Sequence, residues 1–287
     1  MNDFPTFLSI PLASWIDTAM NWLLENFSGL FDAIGHILLV MLLNIERFFL
    51  WIPWWLIILV IVIISWKVMG KWWMGVIMGG LLLLIGSFGY WPLAMMTLAL
   101  TASAVVVSLV IGLPIGILMA KSDIAESIIR PILDAMQTMP SFVYLIPALM
   151  LFGLGKVPAL FATLIYAVPP VIRLTNVGIR QVSQNVLEAA RSFGANPRQI
   201  LFDVQIPLAI PSIMVGINQT TMMALAMVVI ASMIGARGLG LEVLLAINRI
   251  EIGRGFEAGI SIVFLAIIID RITHALATQQ QKELESQ

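Results

Sequence analysis

Cysteine is absent from the 287 residues, which excludes disulfides, thiolate nucleophiles and cysteine-held metal. Only two histidines occur, His36 and His274. They stand far apart without companions at ligand spacing, so both read as structural or interfacial and no metal site is expected. Charge is scarce: 11% of residues are charged and the formal net charge is −1, which leaves no basic surface for nucleic acid. No basic residue precedes Arg47, and residues 1–30 hold no apolar run of the kind a secretory signal needs, so no signal peptide is expected there. A site for ATP is missing too. Gly153-Leu-Gly155-Lys156 imitates the end of a phosphate loop, but the earlier glycine is absent and Val157 stands where Ser or Thr is required. Tryptophan disappears after Trp91, all nine lying in the first third of the chain.

What is present is apolar. Hydrophobic residues make up 60% of the chain, and the mean hydropathy is +1.02. The expected fold is an all-α multi-pass membrane protein. Seven spans are expected, at about 53–69, 72–90, 93–120, 139–155, 157–178, 208–234 and 256–275. Lys121 to Arg130 reads as a polar break of mixed charge. Residues 1–30 place Ser14, Asp17, Thr18, Asn21, Glu25 and Ser28 on one helical face and Trp15, Ile16, Ala19, Met20, Leu23 and Phe27 on the other, as a helix lying on a surface would. A second surface helix is expected at 31–50, where Asn44, Glu46 and Arg47 cut the apolar run short; a spanning helix over 37–51 is the alternative. The tryptophans gather at expected helix ends, as an interfacial belt does. This divides the chain into 1–50, N-terminal amphipathic helices; 51–90, two additional spans; 93–275, a core rich in Gly, Ala, Ser and Met; and 276–287, a short tail.

One polar interval in the core has internal order. Ser183 is placed to cap a helix through Val186-Leu187-Glu188-Ala189-Ala190. Gly194 suits a left-handed helix stop, and Asn196-Pro197 reads as N-cap and first residue of a second helix, Arg198 to about Val204. Pro207 is expected to close the unit. Glu188-Ala189-Ala190, three residues, Gly194, nine residues, then Val204-Gln-Ile206-Pro207 resembles the EAA loop of bacterial ABC importer permeases, with Val and Ile in place of Ile and Leu. The resemblance implies that Glu188, Ala189, Ala190, Gly194, Asn196, Pro197, Arg198, Ile200, Leu201 and Pro207 couple the chain to an ATP-hydrolysing subunit. Further stretches fit: Thr97-Leu-Ala-Leu-Thr101, Gly112-Leu-Pro-Ile-Gly116, Met136 to Pro147, Gly216 to Met222, and Gly235-Ala-Arg237-Gly238-Leu-Gly240. Together with the extended N-terminus, the chain is similar to glycine betaine/proline betaine permeases of osmoprotectant uptake systems. Arg237 departs from the small or neutral residue expected there.

The resemblance places the 183–211 loop in the cytosol. Alternating from it gives ten basic residues inside (Lys67, Lys71, Lys121, Arg130, Arg173, Arg180, Arg191, Arg198, Arg271, Lys282) and five outside (Arg47, Lys156, Arg237, Arg249, Arg254). Cytosolic loops carry such an excess. The expected setting is therefore the bacterial plasma membrane, with the N-terminus outside and the C-terminus cytosolic. The implied partners are two ABC ATPase subunits, a second copy of this chain, and an extracytoplasmic glycine betaine-binding protein docking near Gly235, Arg237, Gly238 and Gly240. The chain itself is expected to hold no cofactor, ATP and Mg being bound by the ATPase. Gln137, Thr138, Pro140, Ser141, Asn218, Gln219 and Thr220 are polar or kink-forming positions near membrane depth, read either as helix–helix hydrogen bonds or as a weakly polar pathway for a small zwitterion. Another solute (choline, carnitine or an amino acid), an ATP-independent transporter and a membrane scaffold are the alternatives.

Overall fold

The computed structural model describes residues 11–285, the side chains of 277 and 279–285 excepted. Residues 1–10 of the expected first surface helix, and the side chain of Lys282, lie outside the described residues. The chain is helical throughout, with no strand among the described residues.

Helix α1 (Leu12–Trp51) is followed by an apolar hairpin, α2 (Trp54–Met69) and α3 (Trp72–Ser87), turned at Gly70 in the left-handed conformation. Next come α4 (Trp91–Lys121) and α5 (Asp123–Thr138), the latter capped by the Ser122 hydroxyl on the Ala125 amide. A 3₁₀ turn, Ser141–Tyr144, leads into α6 (Leu145–Phe152). Helices α7 (Lys156–Ala167) and α8 (Pro169–Arg180) run nearly end to end. Beyond α9 (Gln184–Ser192) and α10 (Pro197–Gln199), a π-helical turn, Ile200–Gln205, enters α11 (Ile206–Ala231). The fold closes with α12 (Leu239–Arg249) and α13 (Ile252–Glu285).

Among the described residues five helical stretches are long and apolar enough to cross a membrane, or six if α5 and 141–152, bent by 109°, count as one broken span. With the shorter α2 and α3, each expected span has a counterpart, and α1 is an additional candidate. The fourth span corrects its expectation. A straight helix over 139–155 does not form, because Pro140 holds Met139 extended (ψ 133°) and α6 has only 8 residues. The polar interval 121–130 holds the break between α4 and α5 at Ser122 and then the first half of amphipathic α5.

The N-terminal segment, expected as two helices meeting near residue 30, forms two helices joined at a kink at Phe27 (φ −126°, ψ 17°), together α1. Its first half is exposed. Its second half buries Gly35, Leu38, Leu42 and Glu46 against α4, α6 and α7. The charge that shortened the apolar run is neutralised there: Glu46 accepts both hydrogen bonds of Lys156.

The centre of the core is α8, packed between α4 and α11. Small residues let the three backbones approach. A Cβ on Gly116 would lie 2.6 Å from Thr175 Cβ, and one on Gly216 would lie 3.1 Å from Val171 Cα. Pro169 and Pro170 are buried in this contact, at the first turn of α8, where a missing amide costs nothing.

Candidate functional site

The loop after α8 is built much as its residues dictate. α9 ends at Gly194, whose φ of +83° is in the left-handed region, and the Ala195 amide returns to Ala190 O at 3.1 Å. Asn196 then forms a complete capping box. Its Oδ1 accepts from the Arg198 and Gln199 amides at 3.0 and 2.9 Å, and Gln199 Oε1 accepts from the Asn196 amide at 2.9 Å. Ser183 stands at the N-cap position of α9, but its side chain makes no capping bond, so that expectation is corrected.

Pro207 does not close the unit. Helix runs without interruption from Pro197 to Ile234. The π-helical turn at 200–205 widens the backbone ahead of the proline, which then occupies the first turn of α11 and displaces no needed bond. The second helix of the loop is thus the start of a rod that continues into the core.

An apolar seam fixes the loop to the body. Val182, Leu187 and Ile200 are buried together with Ala190, Ala195 and Val204 against them, while Leu201 packs with Ile179 and Ala209. Ile200 and Leu201 therefore hold the loop from within. Glu188, Ala189, Asn196, Pro197 and Arg198 lie exposed on its outer side, and Pro207 is half-buried. Sequence reasoning passed over Phe193, which is 92% exposed beside Gly194. Phe193, Gly194, Ala195, Gln199, Asp203 and Val204 line a shallow cleft of about 260 Å³. The one signal in the sequence is an aromatic residue inside an otherwise polar helix end.

The polar positions of the core are brought together only in part. Gln137, Thr138, Pro140 and Ser141 form the bend after α5, and Gln137, Thr138 and Pro140 are exposed. The Ser141–Tyr144 turn touches α11. On α11 itself the three neighbours diverge. Gln219 is exposed and Thr220 is buried, its hydroxyl without a partner. Asn218 is engaged with α13, donating to Asp270 Oδ1 at 3.0 Å and accepting from Thr273 Oγ1 at 2.6 Å. Asp270 is accordingly a helix–helix acceptor.

At the opposite end of the helices, Gly235–Gly240 connects α11 to α12. Gly155 donates its amide to Ile234 O at 2.9 Å, and a Cβ on Gly235 would stand 3.1 Å from Gly155 N. Leu239 donates to Thr97 Oγ1 at 2.9 Å, and Gly238 and Gly240 are buried. These glycines serve close backbone approach; Arg237 is the exposed side chain of the segment. Between α12 and α13, Arg254 binds Glu242 and Glu251 at 2.5 and 3.2 Å.

The family model described as "Binding-protein-dependent transport system inner membrane component" matches residues 112–282. The glycine betaine/proline betaine transport system permease protein ProW of Escherichia coli is 49% identical over 267 residues, covering 93% of this chain and 75% of its own length. The glycine betaine/carnitine transport permease protein GbuB of Listeria monocytogenes is 48% identical over 282 residues, covering 97% of this chain and 100% of its own. Among solved structures, an inward-facing form of the MetNI methionine ABC transporter superposes with a TM-score of 0.58 at 21% identity, covering 66% of this chain and 94% of the matched one. That likeness concerns the fold.

Proposed function

The chain belongs to the family of binding-protein-dependent transport system inner membrane components, and from that premise we propose that it is the permease of an ATP-driven importer of glycine betaine and related quaternary ammonium solutes. The solute class rests on two relatives that cover more than nine-tenths of this chain and carry glycine betaine in their names. The coupling role rests on one observation: the 183–207 loop is an exposed, capped unit continuous with α11.

In this reading two copies of the chain pair in the plasma membrane with their 183–207 loops in the cytosol. Each loop seats in an ATPase subunit, with Phe193 as its apolar anchor and Glu188, Asn196 and Arg198 around it. Closure of the ATPase pair on ATP moves the loops. Because loop and α11 are one rod, and α8 packs along it, that movement re-orients the core helices. A binding protein docks on the opposite face, over Arg237, and delivers the solute. The ATPase holds ATP and Mg. Lys156, the residue that imitates a phosphate-loop lysine, is occupied by Glu46.

Carnitine is the second solute to consider, because the name of the Listeria relative includes it. A strain without betaine uptake of its own, expressing this chain with its ATPase and binding protein, should accumulate labelled glycine betaine at high osmolarity. Uptake of carnitine or choline alone would keep the importer and replace the solute.

A further inference from the structure

A cluster of ion pairs lies between α5 and α8, immediately before the coupling loop. The Arg180 guanidinium is engaged at every nitrogen. Nη1 meets Asp123 Oδ1 at 2.7 Å, Nη2 meets Glu126 Oε2 at 3.1 Å and Met119 O at 2.8 Å, and Nε donates to Asn176 Oδ1 at 3.1 Å. Glu126 is the second hub. It also accepts from Asn176 Nδ2 at 3.1 Å and from Arg130 Nη2 at 3.1 Å. A third link lies farther along, where Arg173 Nη2 meets Asp134 Oδ1 at 2.5 Å.

Exposed ion pairs are worth little singly, but this arrangement differs in geometry. Asn176 is 2% exposed, and the Glu126 side chain is 17% exposed. The planar fork of Arg180 therefore binds three elements in one fixed register: the last turn of α4, the first turn of α5 and the last turn of α8. The elements also have distinct destinations. α8 enters the 183–207 loop three residues after Arg180. α5, about 24 Å long from its 16 residues, ends at the 109° bend, where the Tyr144 hydroxyl donates back to Met136 O. The exposed polar groups of Gln137 and Thr138 lie at that end.

We infer that Arg180 and Glu126 are positioning residues that make α5 follow α8, so that displacement of the coupling loop is carried along α5 to the bend at 138–144. The inference rests on the importer reading and deepens it. Helix-end neutralisation alone would account for the charges of Asp123 and Glu126 at the start of α5. It does not account for a guanidinium from another helix that shares Glu126 with Asn176 and also holds the carbonyl of Met119.

The test uses the full complex, with ATPase and binding protein, in proteoliposomes, and compares solute taken up per ATP hydrolysed. Glu126→Gln keeps the shape of the side chain and its bond to Asn176 but removes the charge. Arg180→Ala removes the fork, and Arg180→Lys keeps the charge without it. The joint predicts that Glu126→Gln and Arg180→Ala hydrolyse ATP within about twofold of the unaltered complex while uptake per ATP falls about tenfold, within the range of coupling between distant sites. Arg180→Lys should fall between. If Arg180→Ala does not assemble with the ATPase, Glu126→Gln alone decides. Uptake and hydrolysis falling in step, or neither changing, would overturn the joint. Absence of ATP-driven uptake of any tested solute by the unaltered complex would instead overturn the importer reading, and the joint with it.

Discussion

Lys156 Nζ lies 2.8 and 2.6 Å from the two carboxylate oxygens of Glu46, a residue 110 positions earlier in the chain. The pair fastens α1 to the start of α7 and is mostly shielded, with side-chain exposures of 25% and 11%. Removing one partner strands the other. Glu46→Ala should cost about 1–3 kcal/mol, below the full figure for a deeply buried pair because Lys156 keeps some access to solvent. Glu46→Leu combined with Lys156→Met should recover most of the loss. Thermal unfolding of the purified variants in detergent measures both; additive losses in the double variant would argue against a coupled pair.

Gly194 has open space where a Cβ would stand, so its requirement is conformational. Gly194→Ala should cost about 1–2 kcal/mol through its φ of +83°, and Gly194→Val more, while Gly194→Asn should be the mildest. The readout is the amount of ATPase retained on purification of the complex. An equal effect of Asn and Val would contradict the backbone argument.

Phe193 contributes little to packing within the chain, being 92% exposed. Phe193→Ala should leave the melting temperature of the isolated chain unchanged. It should weaken binding of the ATPase by about 1–3 kcal/mol, the scale of an aromatic interface anchor. Titration of the ATPase against the chain in nanodiscs tests this, and unchanged affinity would remove Phe193 from the interface.

Gly116 meets Thr175 and the Ile172 carbonyl, which would lie 2.6 and 2.8 Å from an added Cβ. Gly116→Ala should destabilise the α4–α8 contact by about 1–3 kcal/mol through overpacking. Gly80, with nothing within 4 Å, is the matched control, and Gly80→Ala should have little effect. Thermal unfolding compares the two.

The sequence made some elements legible because their causes are local. The left-handed stop at Gly194 and the cap at Asn196-Pro197 each depend on residues within one turn, and both form as expected. Elements whose causes are distant were misread. Glu46 is one of the residues that cut the apolar run of 31–50 short, and its neutralising partner Lys156 sits in another helix. The interval from Lys121 to Arg130 reads only as a break of mixed charge because Arg180, which organises Asp123 and Glu126, comes from α8. Pro207 looked like a stop because a π-helical turn ahead of it leaves no local trace. Ile200 and Leu201 carry the apolar pattern of a docking face, yet the groups they dock on are Val182, Leu187, Ile179 and Ala209 of the same chain. Asn218 was one of several polar residues at membrane depth until Asp270 and Thr273 claimed it.

The central claim is that this chain passes a quaternary ammonium solute across the membrane only when an ATPase drives it. Uptake of labelled glycine betaine into proteoliposomes holding this chain, its ATPase and its binding protein tests that most directly. The account predicts accumulation that requires both ATP and the binding protein and is lost when Gly194→Val prevents the ATPase from seating. Accumulation that persists without ATP, or no ATP-driven transport of any solute by an intact complex, would contradict it.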